Sequence, residues 1–142
     1  KNFKIIESVV KMGIPVMGHI GFTPQYYKKF RIHGLLEKDR LKLIDEAKKN
    51  EKAGVFSIVV ECVVDYVANE ITQSLKIPTI GIGASIHCDG QILVTDDMLG
   101  LSGFYPRFVK KFAKLDNIIE KSVQKYNKAV LTKKFPNKQN TF

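Results

Sequence analysis

VFSIVVECVV, residues 55–64, decides how this chain is expected to fold. Its apolar side chains follow one another with almost no polar alternation, which is typical of a strand covered on both faces, and such strands occur mainly in parallel sheets flanked by helices. Glu61 stands at the end of the run, where parallel α/β folds hold their catalytic groups. Glu61 is therefore a candidate general base or metal ligand; the alternative is that it marks the exposed end of the strand and has no role.

The rest of the chain repeats the alternation of helix and strand. Apolar periodicity and turn residues predict strands near 15–20, 55–60, 79–83 and 91–94, and helices over 1–12, 36–52, 65–75, 106–114 and 115–130. This order predicts an α/β fold with parallel strands. Four strands after a leading helix are half of an eight-stranded barrel, with a strand expected upstream; a complete small doubly wound sheet is the alternative.

Composition restricts the class of protein. The 142 residues are 44% hydrophobic and 26% charged, which is typical of one globular domain, and we expect a single domain over 1–142 with 132–142 as a basic tail. No apolar run is long enough to cross a bilayer and no signal peptide is visible, so we expect no membrane partner and a cytoplasmic location. Cys62 and Cys88 match no zinc or redox spacing, and we expect two reduced thiols, with Cys62 buried.

The net charge of +9 belongs mostly to the C-terminal segment. Residues 107–142 carry ten Lys or Arg against Asp116 and Glu120, which leaves +1 for the first 106 residues. A basic terminal segment is typical of a solvated face or a subunit contact, and no helix-turn-helix or aromatic-interleaved basic pattern accompanies it. We therefore expect no nucleic-acid partner.

His19 is the second candidate site residue. Gly18 and Gly21 bracket it, so the backbone can approach a ligand there, and an imidazole at a strand end can donate a hydrogen bond to a carboxylate or carbonyl. His33 and His87 lack this setting and are interpreted as structural. The basic, aromatic segment 26–33 between the first strand and the next helix predicts a loop or lid.

Two further patterns carry weaker signals. Gly81 and Gly83 fit either tight packing inside a barrel or a loop that approaches phosphate, and the fingerprint of dinucleotide binding is incomplete there. Asp96 and Asp97 could hold a metal ion, but a pair of aspartates after a strand is more typical of a helix cap or a solvated loop.

Five segments in fixed order resemble the ketopantoate hydroxymethyltransferase family. They are GIPVMGHIGFTPQ at 13–25, ECVVDYVANEIT at 61–72, IPTIGIGAS at 77–85, CDGQILVTDDMLG at 88–100 and YPRFVKKF at 105–112. The resemblance implies a (β/α)₈ TIM barrel of the phosphoenolpyruvate/pyruvate superfamily, of which this chain supplies the C-terminal half. It also implies transfer of a hydroxymethyl group from 5,10-methylenetetrahydrofolate to 3-methyl-2-oxobutanoate, giving 2-dehydropantoate for pantothenate biosynthesis.

The resemblance also implies roles for two residues. Glu61 matches the proposed catalytic base of the family, and His19 matches a histidine beside the bound keto acid. The family uses Mg²⁺, whose ligands lie in its N-terminal half, so no residue here is given a metal role and the isolated 142-residue chain is expected to be inactive. A homo-oligomer, a decamer in the family, is expected.

Three positions and one loop depart from the family pattern. Val64, Ser85 and Asp96 stand where the family usually has Pro, Gly and His, and the loop after TPQ differs from the family in its sequence. Two other functions therefore stay open. One is another enzyme of the same superfamily, although the GHIGFTPQ and CDGQ segments argue against it. The other is a non-catalytic half-barrel with a structural or assembly role.

Overall fold

The computed structural model describes residues 3–25 and 30–142. The chain divides into two compact units, Lys1–Ile92 and Leu93–Phe142, which are described in turn. Of the predicted loop or lid over 26–33, residues 26–29 lie outside the described part, so that prediction is followed only from Phe30 onward.

A four-stranded parallel sheet organises the first unit. The strands pair in chain order, β1-β2-β3-β4. The elements are α1 (Phe3–Lys11), β1 (Met17–Gly21), α2 (Glu37–Lys52), β2 (Ser57–Glu61), α3 (Asp65–Ser74), β3 (Thr79–Ile82) and β4 (Gly90–Gln91). Four consecutive parallel β/α units are the arrangement expected for half of a (β/α)₈ barrel, so the predicted fold class is confirmed. The fourth strand is shorter than predicted and ends before Ile92.

The core of this unit lies between one face of the sheet and helices α2 and α3. Ile58 and Val60 of β2 are completely buried, and they share one hydrophobic cluster with Val67 and Ile71 of α3. Because side chains alternate along a strand, Val59 and Glu61 project from the opposite face. Burying a side chain of this size stabilises the fold by about 1.5–3 kcal/mol. Because Ile58 and Val60 must face the core, Glu61 must lie on the other face of the sheet.

Helix α2 buries most of the stripe that its apolar periodicity predicts, which is Leu41, Ile44 and Ala47. Ala47 is buried and Ile44 packs against the core, but Leu41 is 54% exposed. Leu43 and Asn50 are buried as well. The Asn50 side chain is hydrogen-bonded to the Glu46 carbonyl at 2.8 Å, and a Cβ on Gly18 would come within 3.0 Å of its Oδ1. A polar residue therefore occupies a core position, which a purely apolar pattern does not reveal.

The second unit contains α4 (Thr95–Leu99), α5 (Leu115–Leu131) and a short 3₁₀ helix (Lys138–Asn140). The helix predicted over 106–114 is absent. The amide groups of Phe112 and Ala113 donate to the carbonyl of Met98 at 2.8 and 3.3 Å, which is incompatible with helical i to i−4 bonding at these residues. The prediction failed because α4 takes up these donors.

Helix α5 exposes its apolar stripe within this unit. Its apolar periodicity predicts a covered stripe of Leu115, Ile119, Val123, Tyr126 and Val130, yet the last four are 42–54% exposed. Asp116 lies in the first helical turn, where it accepts the Asn117 amide at 2.7 Å. Among residues 3–25 and 30–142, no helix combines the length and the hydrophobicity that crossing a bilayer requires.

Candidate active site

Strands β1 and β2 bring the two candidate residues together. Gly21 pairs with Glu61, and His19 pairs with Val59 two residues earlier. Positions two apart on a strand share a face, so His19 and Glu61 project from the same side of neighbouring strands. Glu61 is the last residue of β2, at the carboxyl end of the sheet.

Their side chains are in direct contact. Nε2 of His19 lies 3.0 Å from Oε2 of Glu61 and 3.0 Å from the carbonyl oxygen of Phe22. A carbonyl can only accept, so Nε2 carries the hydrogen and donates it. The His19 side chain is 35% exposed and that of Glu61 is 16% exposed, so the carboxylate is the less solvent-exposed group of the two.

Burial raises the pKa of Glu61 above the usual range of a glutamate, and the neighbouring His19 opposes part of that rise through its charge and its hydrogen bond. The desolvation has a visible source, because Val59 on the same face and Ile82, the β3 partner of Glu61, are both buried. A carboxylate with a raised pKa holds an abstracted proton better near neutral pH, which suits it to general base catalysis.

The backbone around Glu61 is fixed from both neighbouring strands. The Glu61 carbonyl accepts the Phe22 amide at 2.9 Å, and the next amide, that of Cys62, donates to Ile82 at 2.9 Å. Gly21 has φ +86°, and a Cβ there would lie 2.1 Å from the Glu61 carbonyl oxygen. Only glycine permits this approach, so Gly21, the last residue of GHIG, is needed at this position because it has no side chain.

Cys62 directly follows the candidate base and has a left-handed backbone, with φ +53°. A non-glycine residue in this region costs roughly 1–2 kcal/mol. Its side chain is 2% exposed, and burial raises the pKa of the thiol to about 12, with the charge of Glu61 adding to the rise. The thiol therefore stays protonated and is no nucleophile. Both cysteines are free and buried; the free thiols and the burial of Cys62 were predicted.

The structure also places the other histidines that the sequence drew attention to. His33 is buried, its Nδ1 lies 3.9 Å from Asp39, and burial followed by the charge of Arg31 lowers its pKa. Its backbone forms a parallel bridge with Val63. His87 is exposed and donates its amide to the Ser85 hydroxyl.

The remaining candidate residues either pack closely against a neighbour or lie at the start of a helix. A Cβ on Gly81 would lie 2.8 Å from the side chain of Gln91, which supports the packing interpretation of that glycine. Asp96 and Asp97 occupy the first turn of α4 without a side-chain capping bond. Within the described ranges, no group of three or more His, Cys, Asp or Glu side chains is arranged to hold a metal ion.

Sequence reasoning missed the backbone contributors to the site. The Phe22 carbonyl bonded to His19 and the left-handed turn at Cys62 are invisible to side-chain motifs. Gly21 was noted as a place where a ligand could approach the backbone, but its close contact with the Glu61 carbonyl emerges only from the strand register. The signal in the sequence for this contact was Gly21 itself, a glycine at the end of a strand.

Comparison with known proteins identifies the family. The family model described as ketopantoate hydroxymethyltransferase matches residues 1–138. The chain belongs to the ketopantoate hydroxymethyltransferase family. Membership covers nearly the whole sequence, so the resemblance carried by the five ordered segments is confirmed.

Similar curated proteins carry a consistent name, 3-methyl-2-oxobutanoate hydroxymethyltransferase. The family member of Pelagibacter ubique is 46% identical over 142 residues, which cover all of this chain and 55% of the relative. Those of Thermotoga maritima and Sulfurisphaera tokodaii are each 48% identical, over 98% and 95% of this chain and 53% and 52% of their own lengths. The chain thus spans about half the length of these family members.

Proposed function

We propose that the protein to which this chain belongs transfers a hydroxymethyl group from 5,10-methylenetetrahydrofolate to 3-methyl-2-oxobutanoate, forming 2-dehydropantoate for pantothenate biosynthesis. Family membership supports the reaction class. The observation that carries the assignment of the base is the 3.0 Å contact between Glu61 and His19 at the carboxyl end of β2. The raised pKa of Glu61 agrees with that role.

Glu61 starts the reaction in this proposal. Its carboxylate takes the proton from C3 of the keto acid, and the electrons of the broken C–H bond pass into the keto group to form an enolate. His19 holds Oε2, so Oε1 is the oxygen that receives the proton. C3 then forms its bond to the methylene carbon of the folate while the two bonds between that carbon and the folate nitrogens break. Water supplies the hydroxyl oxygen, and tetrahydrofolate leaves with the proton from C3 and one proton from the water on its two nitrogens. His19 also binds the keto acid, beside the base.

Mg²⁺ is the cofactor that the family resemblance implies. The described residues contain no group of three or more His, Cys, Asp or Glu side chains arranged to hold it. No step of the mechanism is therefore routed through the metal on this chain. We propose that its ligands lie outside this sequence, together with part of the folate site.

The architecture supports a corresponding assembly. We propose that this chain forms the C-terminal half of one (β/α)₈ barrel domain in a cytoplasmic homo-oligomer. Four parallel strands in chain order and a span of about half the relatives' length support the half-barrel. The basic segment after Pro106 is the proposed subunit contact, since it carries nearly all of the net charge.

Proton exchange at C3 of 3-methyl-2-oxobutanoate tests the proposal without requiring folate. The chain is assayed in D₂O with Mg²⁺, alone and joined to the part of the Thermotoga maritima relative that lies outside the match. We expect exchange in the joined protein and none in the chain alone. Glu61→Gln should lower the exchange rate roughly 10²–10⁴-fold while keto-acid binding persists.

The matched control is Glu120→Gln, which removes an exposed carboxylate of α5 and should leave exchange unchanged. Undiminished exchange in Glu61→Gln would exclude Glu61 as the base. Turnover by the chain alone would contradict the division of the active site between two halves.

A further inference from the structure

An apolar groove with a basic rim lies at the start of α2. Its volume is about 390 Å³, which is within the range of pockets that bind small molecules. The apolar part of its lining consists of Ile32, Leu35 and Leu36, whose side chains are 51–73% exposed. A group of exposed apolar side chains around one groove is typical of a binding surface.

The charged side chains of the groove are mostly cationic. Arg31, Lys38 and Lys42 line it, and among its described lining residues the anionic one is Asp39. Three positive charges against one negative charge leave a net charge of +2. Oδ2 of Asp39 already accepts the Gly34 amide at 2.6 Å and lies 3.9 Å from Nη2 of Arg31. The groove therefore suits a ligand that carries two negative charges beside an apolar body.

The wall of the groove is held against the residues that follow the candidate base. His33 comes directly after Ile32, and its amide donates to the Cys62 carbonyl at 2.8 Å. The His33 carbonyl accepts the Val64 amide at 3.0 Å. The groove thus has a fixed wall at the carboxyl end of the sheet, the end at which Glu61 lies.

A second cavity adjoins the groove. Its volume is about 160 Å³, and it shares Arg31, Asp39 and Lys42 with the groove. Gly21, the strand partner of Glu61, is part of its lining. Open space therefore lies on both sides of the three shared side chains, between the start of α2 and the strand residue opposite the candidate base.

We propose that the groove binds the p-aminobenzoylglutamate part of the folate co-substrate. The inference rests on the proposed function, in which a folate delivers the one-carbon unit. The benzoyl ring is apolar and packs on Leu35 and Leu36. The glutamate carries two carboxylates that are ionised at neutral pH, and they pair with Lys38 and Lys42. The groove holds the end of the folate that is remote from the one-carbon unit, so its residues set affinity and take no part in the reaction.

Binding of two ligands to the intact protein, measured by calorimetry without keto acid, tests the charged part of the groove. Tetrahydrofolate has both carboxylates of the glutamate, whereas tetrahydropteroate ends at a single carboxylate on the ring. In Lys38→Gln/Lys42→Gln we expect the dissociation constant of tetrahydrofolate to rise roughly tenfold, because two charge-assisted contacts are lost, and that of tetrahydropteroate to rise less than about threefold. Lys48→Gln/Lys52→Gln is the matched control, since it removes two exposed lysines at the same spacing on the same helix, and it should change neither value.

Leu35→Ser tests the apolar part of the groove. Both ligands contain the ring, so the dissociation constants of both should rise about fivefold as apolar contact is lost. Leu41→Ser, which changes another exposed leucine outside the lining of the groove, should leave both unchanged. Because both leucines are exposed, this pair of variants decides the matter even where the lysine variants fail to fold.

Equal affinities in the groove variants and their controls would overturn the inference, and so would an unaltered protein that binds neither ligand. If the groove variants keep their affinity but dissociate an oligomer in sedimentation, the groove is a subunit contact and the inference is likewise overturned. Failure of the proposed reaction is seen separately, as an absence of proton exchange at C3 of the keto acid, because that exchange requires no folate.

Discussion

His19 Nε2 lies 3.0 Å from Glu61 Oε2, although the two residues are separated by more than forty positions along the chain. The parallel register of β1 and β2 creates this proximity, because Gly21 opposite Glu61 has no side chain and His19 shares its face of the sheet. The pair is therefore a product of strand pairing, and its properties can be tested by changing either member or the glycine between them.

Replacing His19 should move the pH dependence of proton abstraction. His19 lowers the pKa of Glu61 through its charge and its hydrogen bond, against the larger rise caused by burial. In His19→Ala the pKa of Glu61 rises further, so the acid limb of the exchange rate shifts to higher pH. The pH profile in the joined protein measures this, with His87→Ala as an exposed control. An acid limb that stays in place would show that the two side chains do not interact in solution.

Glu61→Gln should stabilise the fold at neutral and alkaline pH. A glutamate whose folded pKa is raised favours folding fully below its unfolded pKa, about 4.3, and loses that contribution as the pH rises through the folded value. Removing the ionisable group therefore gains about 1 kcal/mol at pH 8 and little at pH 4. Urea denaturation at the two pH values measures the difference. A gain that is equal at both would point to a cause other than ionisation.

Gly21→Ala should be strongly destabilising. The new Cβ would meet the Glu61 carbonyl at 2.1 Å, in a residue that already has φ +86°. We expect a loss of about 3 kcal/mol in the free energy of unfolding. Gly13→Ala is the matched control, since Gly13 has φ +79° and nothing within 4 Å of the added Cβ. It should lose only about 1 kcal/mol, the cost of the left-handed backbone alone. Equal losses in denaturant titrations would contradict the steric argument.

Asp89→Ala should destabilise the start of β3. Oδ2 of Asp89 accepts the amide of Thr79 at 2.8 Å and its hydroxyl at 3.1 Å, and Thr79 is completely buried. The hydroxyl keeps Thr72 Oγ1 at 2.8 Å, but leaving the buried amide without a partner costs about 1–3 kcal/mol. Asp45→Ala removes an exposed ion pair with Lys49 and should change the free energy of unfolding by about 0.5 kcal/mol or less. Similar losses in the two variants would show that Asp89 is replaceable by water.

The sheet and the strand-end positions of the two candidate residues were predictable because they depend on side-chain pattern. The uninterrupted run ending at Glu61 marked the buried strand, and the glycines around His19 marked a close approach. The structure shows a close approach of Gly21 to the Glu61 backbone, whereas the approach of a ligand stays a prediction. Direct contact between the two side chains followed from register, which a pattern within one strand does not contain.

The errors arose where one segment takes its contacts from another. In the segment expected to be helical over 106–114, the amides of Phe112 and Ala113 donate to Met98. On α2, Leu41 of the predicted stripe is exposed while Leu43 and the polar Asn50 are buried. Helical periodicity describes a segment on its own, so it cannot reveal hydrogen bonds or packing that another segment provides.

The strand order β1-β2-β3-β4 repeats the order of the strands along the chain. During synthesis each strand therefore finds its neighbour already outside the ribosome. The first two strands suffice to set the register that brings His19 and Glu61 together, so this pair can form vectorially, before β3 and β4 have left the ribosome.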